Sequence, residues 1–392
     1  MADLKNGFGP VIPDVTAGVK EPFRVAIIQD WGVATQALYD QYDATLLAFE
    51  EATASGLLDR PVDLRVLEIE GMPFNTESTV IGAIDKLMRE FEPICLIGPH
   101  VTETVPAVKP YIEKIGIPMI CQSGSLEVAG PWVFLTPNGT FIDEAMLMVD
   151  HAVDIFGSKR FGIIREDNLI GDEYTAQIRA HGRRRGLSIV ADAAVPSFTT
   201  PEEGEAAVKA MQDAGADCYC YLGFGASATS VLLPSKRAFE AGYKANRITM
   251  SILMGTTPGL IRPGKTGYGG LIENFNGWTG IEQFDENNKY FMGMIDRFAA
   301  RFGGRRPIHC YTAQGYDMGH VVAHGLAKAK PLSRDGLRRG LERVRRVPAT
   351  VGHPGNVMSF GVYDHRAYKG EYIVMREIKD GKSVLAPKVA LR

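Results

Sequence analysis

Two short loops carry the residue types that could hold a small polar group. The first, Gly98-Pro99-His100-Val101-Thr102-Glu103-Thr104, ends an apolar run that begins at Ile94. Gly-Pro breaks a strand, and Thr102 or Thr104 is placed to cap the helix that follows. A hydroxyl beside the unpaired amides of a helix N-terminus can receive a carboxylate or carbonyl oxygen. Each threonine taken alone is more simply a cap. The second loop, Cys121-Gln122-Ser123-Gly124-Ser125, offers two hydroxyls and accessible backbone N–H groups without charge. By itself it is an ordinary turn; it gains weight because it follows the next strand and would face the same crevice. Gln36 opens the first long helix beyond the first strand. Further along, Arg165-Glu166-Asp167-Asn168 ends one strand and Gly223-Phe224-Gly225 another. The Phe224 ring either packs on a bound molecule or closes the edge of a core.

Catalytic signatures are missing. No GxSxG elbow, GxxxxGK[ST] phosphate loop or HExxH pair occurs. Gly223–Gly225 is not a GxGxxG fingerprint, since Ser227 and Ala228 stand where the pattern needs its last glycine. His309 and Cys310 are neighbours, but adjacent residues on extended chain point to opposite sides, which does not make a nucleophile–base pair. His320 and His324 have the i, i+4 spacing of metal ligands on a helix without the rest of a ligand set. The five cysteines (Cys95, Cys121, Cys218, Cys220, Cys310) form no CxxC pair and lie in apolar runs, as small buried hydrophobes do. Neither a catalytic residue, a cofactor nor a metal is expected.

The chain of 392 residues carries 43 basic and 46 acidic side chains, a net charge of −3. So balanced a surface has no field suited to nucleic acid or anionic lipid. The clusters Arg183–Arg185, Arg338-Arg339 and Arg345-Arg346 read as solvated helix ends. The first twenty residues contain Gly and Pro and lack the apolar core of a signal peptide, and no run of about 18 apolar residues could cross a membrane. This predicts either a cytoplasmic protein or one whose export signal lies outside the chain.

The elements that must position these loops alternate. Runs at Arg24–Gln29, Asp63–Glu70, Ile94–Gly98 and Pro118–Cys121 have strand character, separated by helix-period segments at 36–53, 79–91 and 104–115. Ile94–Gly98 is continuously apolar, as a parallel strand covered on both faces should be. The rhythm repeats with strands at 160–165, 187–195, 217–222, 248–253 and 269–275 and helices near 172–185, 201–214 and 227–241. Helices at 285–302, 313–329 and 333–345 and strand-like alternation at 371–378 complete the chain. The length exceeds what one core supports, so two α/β domains with doubly wound parallel sheets are predicted.

With these residues assembled, the sequence resembles the type I periplasmic binding proteins, specifically the leucine/isoleucine/valine-binding receptors of ABC transporters. The resemblance runs from Arg24 to Leu385. It rests on Ile97-Gly98-Pro99, the strand Gly116-Ile117-Pro118-Met119-Ile120 with its Ser-rich loop, Gly315-Tyr316-Asp317, Tyr363-Asp364-His365-Arg366 and Asp380-Gly381-Lys382. It implies two lobes joined by a three-crossover hinge, with crossings near Pro137–Phe141, Asn274–Thr279 and Val351–Phe360. After an extension at 1–22, the first lobe would comprise 23–138 and 279–352, the second 139–278 and 353–392. A solute would lie between the lobes, clamped by Thr102, Ser123, Gly124, Ser125 and Gln36 on one side and by Phe224, Ile170 and Ile252 on the other. The family's amino-acid binders carry a tyrosine where this chain has Ile170. They also carry an acid in the loop after Met250, where this chain has Ser251-Ile252-Leu253-Met254. A buried ammonium without a counter-ion costs several kcal/mol, so a small carboxylate or amide with an apolar or aromatic body is the expected ligand. An ABC permease is the implied partner and the periplasm the implied location. A cytoplasmic sensor of the amide-regulator type on the same fold is the alternative.

Overall fold

The computed structural model describes residues 20–30, 36–69, 77–102, 104–223, 228–251, 254 and 276–389. The chain divides into two compact units, one formed by the residues up to Asn138 with Phe284–Tyr372, the other by Gly139–Gln283 with the residues from Ile373 onward.

The first unit is built on strands β1 (Phe23–Gln29), β2 (Val62–Glu68), β3 (Cys95–Ile97), β4 (Met119–Cys121) and β5 (Val133–Leu135). They lie in the order β2-β1-β3-β4-β5, and every pairing is parallel. Helices α1 (Gln36–Ala54), α2 (Glu77–Glu90) and α3 (Thr104–Ile115) connect the first four strands. Every residue of β3, β4 and β5 is buried, as two-sided cover requires. On one side Ile28, Ile84, Leu96, Val108, Ile112 and Met119 make a single core. Residues from the far end of the chain complete the unit: α8 (Lys289–Arg301), α9 (Cys310–Ala327), α10 (Arg334–Leu341) and the short antiparallel pair of β11 (Val347–Pro348) and β12 (Val357–Met358). Helix α9 lies so close on α1 that a Cβ on Gly315 would stand 2.2 Å from the Gln41 carbonyl oxygen. The Thr45 hydroxyl donates to the Gly315 carbonyl at 2.9 Å across the same contact.

The second unit carries β6 (Arg160–Glu166), β7 (Ser188–Val195), β8 (Cys218–Leu222), β9 (Asn246–Thr249), β10 (Trp278–Glu282), β13 (Val374–Lys379) and β14 (Lys382–Leu385). The order is β14-β13-β10-β9-β8-β6-β7, parallel from β10 to β7 and antiparallel at the β13 and β14 edge. Helices α4 (Phe141–Asp154), α5 (Leu169–Arg184), α6 (Pro201–Asp213) and α7 (Ala228–Glu240) belong to it. A full capping box starts α6: the Thr200 hydroxyl accepts the Glu203 amide while the Glu203 carboxylate accepts the Thr200 amide. Arg185 reaches back to Asp154 at 2.7 Å and Asp150 at 3.2 Å, tying α5 to α4. That basic cluster is internal pairing as well as helix-end charge.

Several expectations shift. The strand expected at 248–253 ends at Thr249, because Ser251 turns away to bind a buried carboxylate. The strand expected at 269–275 falls outside the described residues, and Trp278–Glu282 is the strand paired to β9. Helix α4 and strand β5 were not read from the sequence at all. The last two passages between the units also lie later than expected. Strand β10 hydrogen-bonds to β9 and β13, which keeps 279–283 in the second unit. Residues 353–372 stay in the first unit. There the Asp317 carboxylate holds the Thr350 and Val351 amides, His365 donates from Nδ1 to the Gly130 carbonyl at 2.7 Å, and its ring stacks 3.9 Å from Phe134. The passages therefore fall at Asn138/Gly139, Gln283/Phe284 and Tyr372/Ile373.

Candidate functional site

In the first unit, Ile27, Ile97 and Ile120 stand in one register row across β1, β3 and β4. Three residues further on, at the carboxyl ends of those strands, come Asp30, His100 and Ser123. Ligands of open α/β sheets bind outside this edge. Thr102, Ser123, Gly124 and Ser125 are all buried here, Ser123 completely and Thr102 to 7% exposure.

The turn after β3 is shaped by Gly98, which has φ +81°; a Cβ there would stand 2.3 Å from the Ile28 carbonyl oxygen. Only glycine fits without moving β1. Asp30 then organises the loop. Its carboxylate, 0% exposed, accepts the His100 amide at 2.8 Å and the Val101 amide at 3.2 Å, and the Thr104 hydroxyl also donates to it. Sequence reasoning offered the loop's amides to a ligand carboxylate, but two of them are already taken by a carboxylate of the chain. It also placed a hydroxyl of Thr102 or Thr104 as helix cap, whereas the Thr104 hydroxyl turns to Asp30. Burial pushes the Asp30 carboxyl up to about 6 in spite of these donors. The His100 ring is 3% exposed, neither nitrogen has a hydrogen-bond partner among the described residues, and burial pushes it down to about 3, so it is a neutral imidazole at physiological pH.

Around this row lie neutral amides. Gln29, 4% exposed, ends β1 with its side-chain amide against the Tyr42 hydroxyl. The Gln122 amide donates to the Gln314 side chain on α9, and the Gln122 carbonyl oxygen has no partner among the described residues. In the second loop the Ser125 amide donates to the Ser123 hydroxyl at 3.3 Å. Sequence reasoning missed Asp30, His100, Gln29 and Gln122. The available signal was the polar pair Gln29-Asp30 at the end of an apolar strand, the position where parallel sheets keep their sites.

Two of the remaining expected residues lie on helices. Gln36 is exposed on the first turn of α1, its amide donating to Asp40 at 3.0 Å. Ile170 is 5% exposed and packs into the core of the second unit, one residue before the Gly171 amide that caps onto Asn168 at 2.9 Å. Phe224 and Ile252 lie outside the described residues. The loop after Met250 is not without an acid: Glu144 of α4, 1% exposed, accepts the Ser251 amide at 3.0 Å and the Ser251 hydroxyl at 2.6 Å. Burial pushes Glu144 up to about 7.

His309 caps α9, accepting the Thr312 amide on Nδ1 at 3.4 Å and facing Asp40 from Nε2 at 3.3 Å, while Cys310 is buried. The rings of His320 and His324 lie 4.9 Å apart and burial pushes both down to about 4. Among the described residues no group of three His, Cys, Asp or Glu side chains could hold a metal, and no helix is long and apolar enough to cross a membrane. The five cysteines are buried thiols.

Two α/β units with parallel sheets, each assembled from discontinuous segments, and polar loops at a sheet's carboxyl edge define a binding fold of the periplasmic receptor type. The chain belongs to the periplasmic binding protein family, whose profile matches residues 26–382. No curated protein matches it by sequence. Among solved structures it is similar to a possible leucine/isoleucine/valine-binding protein from Rhodopirellula baltica, with 18% identity, TM-score 0.75, and coverage of 95% of this chain and 98% of that one. It is similar to LivJ from Streptococcus pneumoniae in complex with isoleucine, with 15% identity, TM-score 0.73, and 93% and 98% coverage. A solute-binding protein from R. palustris in complex with benzoate is similar at 15% identity and TM-score 0.72, with 93% and 95% coverage. These likenesses establish the type I fold.

Proposed function

We propose that this chain is the solute receptor of an ABC transporter and that it binds a small organic molecule reversibly without transforming it. The proposed ligand is a carboxylate or amide with an apolar or aromatic body, enclosed by the two units as they close. The observation that carries the reading is the pair of buried hydroxyl-bearing loops, Thr102 and Ser123–Ser125, on adjacent strands of a sheet in a periplasmic binding chain. Hydroxyls and backbone amides hold a polar head by geometry, and apolar surface supplies the rest of the affinity. The proposed partner is a membrane permease that reads the closed form, and the proposed location is outside the cytoplasm.

A thermal-shift screen of aromatic acids, short fatty acids, amides and amino acids tests the reading, because a ligand of the folded form raises the midpoint in proportion to ln(1 + [L]/Kd). A hit followed by small-angle scattering should show a smaller radius of gyration with ligand, and NMR of the compound should show it unchanged after long incubation. Tight binding of leucine or valine would overturn the ligand class, and turnover of the hit would overturn the receptor reading.

A further inference from the structure

The buried carboxylate behind the loops bears on which of the two head groups the site accepts. Asp30 is fully buried and makes no ion pair among the described residues; what acts on its carboxyl is burial, backbone amides and the Thr104 hydroxyl. Around it are the Tyr42 hydroxyl on α1, the neutral His100 ring after β3 and the Cys121 thiol on β4, pushed up to about 12 by burial. Glu68 at the end of β2 adds negative charge beside Tyr42. The sequence that follows Asp30, Trp31-Gly32-Val33-Ala34-Thr35, contains no basic residue. The carboxylate already occupies the His100 and Val101 amides, donors that an incoming anion would otherwise use. What stays unpartnered nearby among the described residues is neutral: the His100 ring, which can donate and accept, and the Gln122 carbonyl oxygen, which accepts.

Resting on the receptor reading above, we propose that Asp30 is a specificity-determining residue: it selects a ligand whose head is an uncharged carboxamide and disfavours the matching carboxylate. A carboxylate held by Thr102 and Ser123 would sit within about two strand spacings of Asp30, roughly 10 Å. In an effective dielectric of about 20, that like-charge repulsion weakens binding on the order of 10-fold. A carboxamide pays no such penalty and satisfies amide partners in both directions. A carboxylate can bind well only if Asp30 takes up a proton, so its affinity must rise as pH falls. The amide's affinity has no reason to follow.

The test is isothermal titration of the full chain with two matched pairs, benzamide against benzoate and isovaleramide against isovalerate, between pH 8 and pH 5.5, where both acids remain ionised. The expected result is that in the pair that binds, the amide is at least about 10-fold tighter at pH 8, and that the gap narrows toward pH 5.5 through the acid's gain alone. Asp30→Asn should raise the acid's affinity at pH 8 and flatten its pH profile while leaving the amide's profile flat; the wild-type pH series carries the test even if that variant fails to fold. A carboxylate that binds as tightly as its amide at pH 8, with no pH dependence, overturns the inference and leaves the receptor reading standing. Failure of all four compounds to bind overturns this inference together with the proposed ligand class.

Discussion

Replacing Glu144 by glutamine should make the second unit more stable at pH 8 and leave it nearly unchanged at pH 4.5. Both carboxylate oxygens face Ser251, one accepting its amide and the other its hydroxyl, and nothing cationic pairs with them among the described residues. Burial therefore favours the protonated form, moving the group from an ordinary 4.5 to about 7. The native state then holds this proton more tightly than the unfolded chain does. The stability it confers is complete below about pH 4.5 and is withdrawn as pH rises through about 7. At 1.36 kcal/mol per pH unit the withdrawal amounts to about 3 kcal/mol. Glutamine reproduces the neutral acid: its carbonyl can accept the Ser251 amide and its NH2 can donate to the Ser251 hydroxyl. The assay is urea unfolding of both proteins at pH 4.5, 6 and 8, in a background carrying Trp31→Phe and Trp132→Phe. Trp278, fully buried in the second unit, then reports that unit alone. His151, also in α4 and pushed down to about 4, contributes with the opposite sign, its stability present above pH 6.5 and lost as pH falls; it cancels in the difference between variants. A stability difference that does not change with pH, or that favours glutamate at pH 8, would refute the reasoning.

Other perturbations follow from the first unit. Gly98→Ala should cost at least about 2 kcal/mol in urea unfolding, since the residue has positive φ and its Cβ would meet the Ile28 carbonyl. His309→Ala should lose about 1 kcal/mol by uncapping α9, and His309→Asn should recover most of it, because asparagine can accept the Thr312 amide; no recovery would assign the loss to the Asp40 contact instead. Ser123→Ala and Ser125→Ala should each weaken binding of the screened ligand about 10-fold in calorimetry, with a change in the free protein's stability below about 1 kcal/mol.

Local signals carried the architecture further than they carried the site. The parallel strands announce themselves as short apolar runs, and Gly98-Pro99 and Ser123-Gly124-Ser125 mark where two of them end. Helix α4 escaped because its start depends on the Thr140 hydroxyl accepting the Asp143 amide, a cap that the loop before it does not advertise. The passages between units were misjudged where long-range pairing decides them: β10 needs β13, and His365 needs Gly130. Asp30 shows the same limit at the site. Its amide partners lie 70 and 71 residues onward, so a buried loop organiser looks in sequence like the polar start of an exposed loop. Glu144 and Ser251 meet across 107 residues, which is why the loop after Met250 looked free of acid.

The join between α1 and α9 has a consequence for how the chain comes off the ribosome. Thr45 bonds Gly315 across 270 residues, and the first sheet's covering helices include ones made only after the whole of Gly139–Gln283 has been synthesised. The second unit in turn waits for β13 and β14, which follow the whole of Phe284–Tyr372. Neither unit is finished until the segments that follow Gln283 have been made, so the emerging polypeptide must carry uncovered apolar faces through the synthesis of everything in between. A fragment ending at Asn138 has every strand of its sheet and is still without α9, the helix that closes over α1.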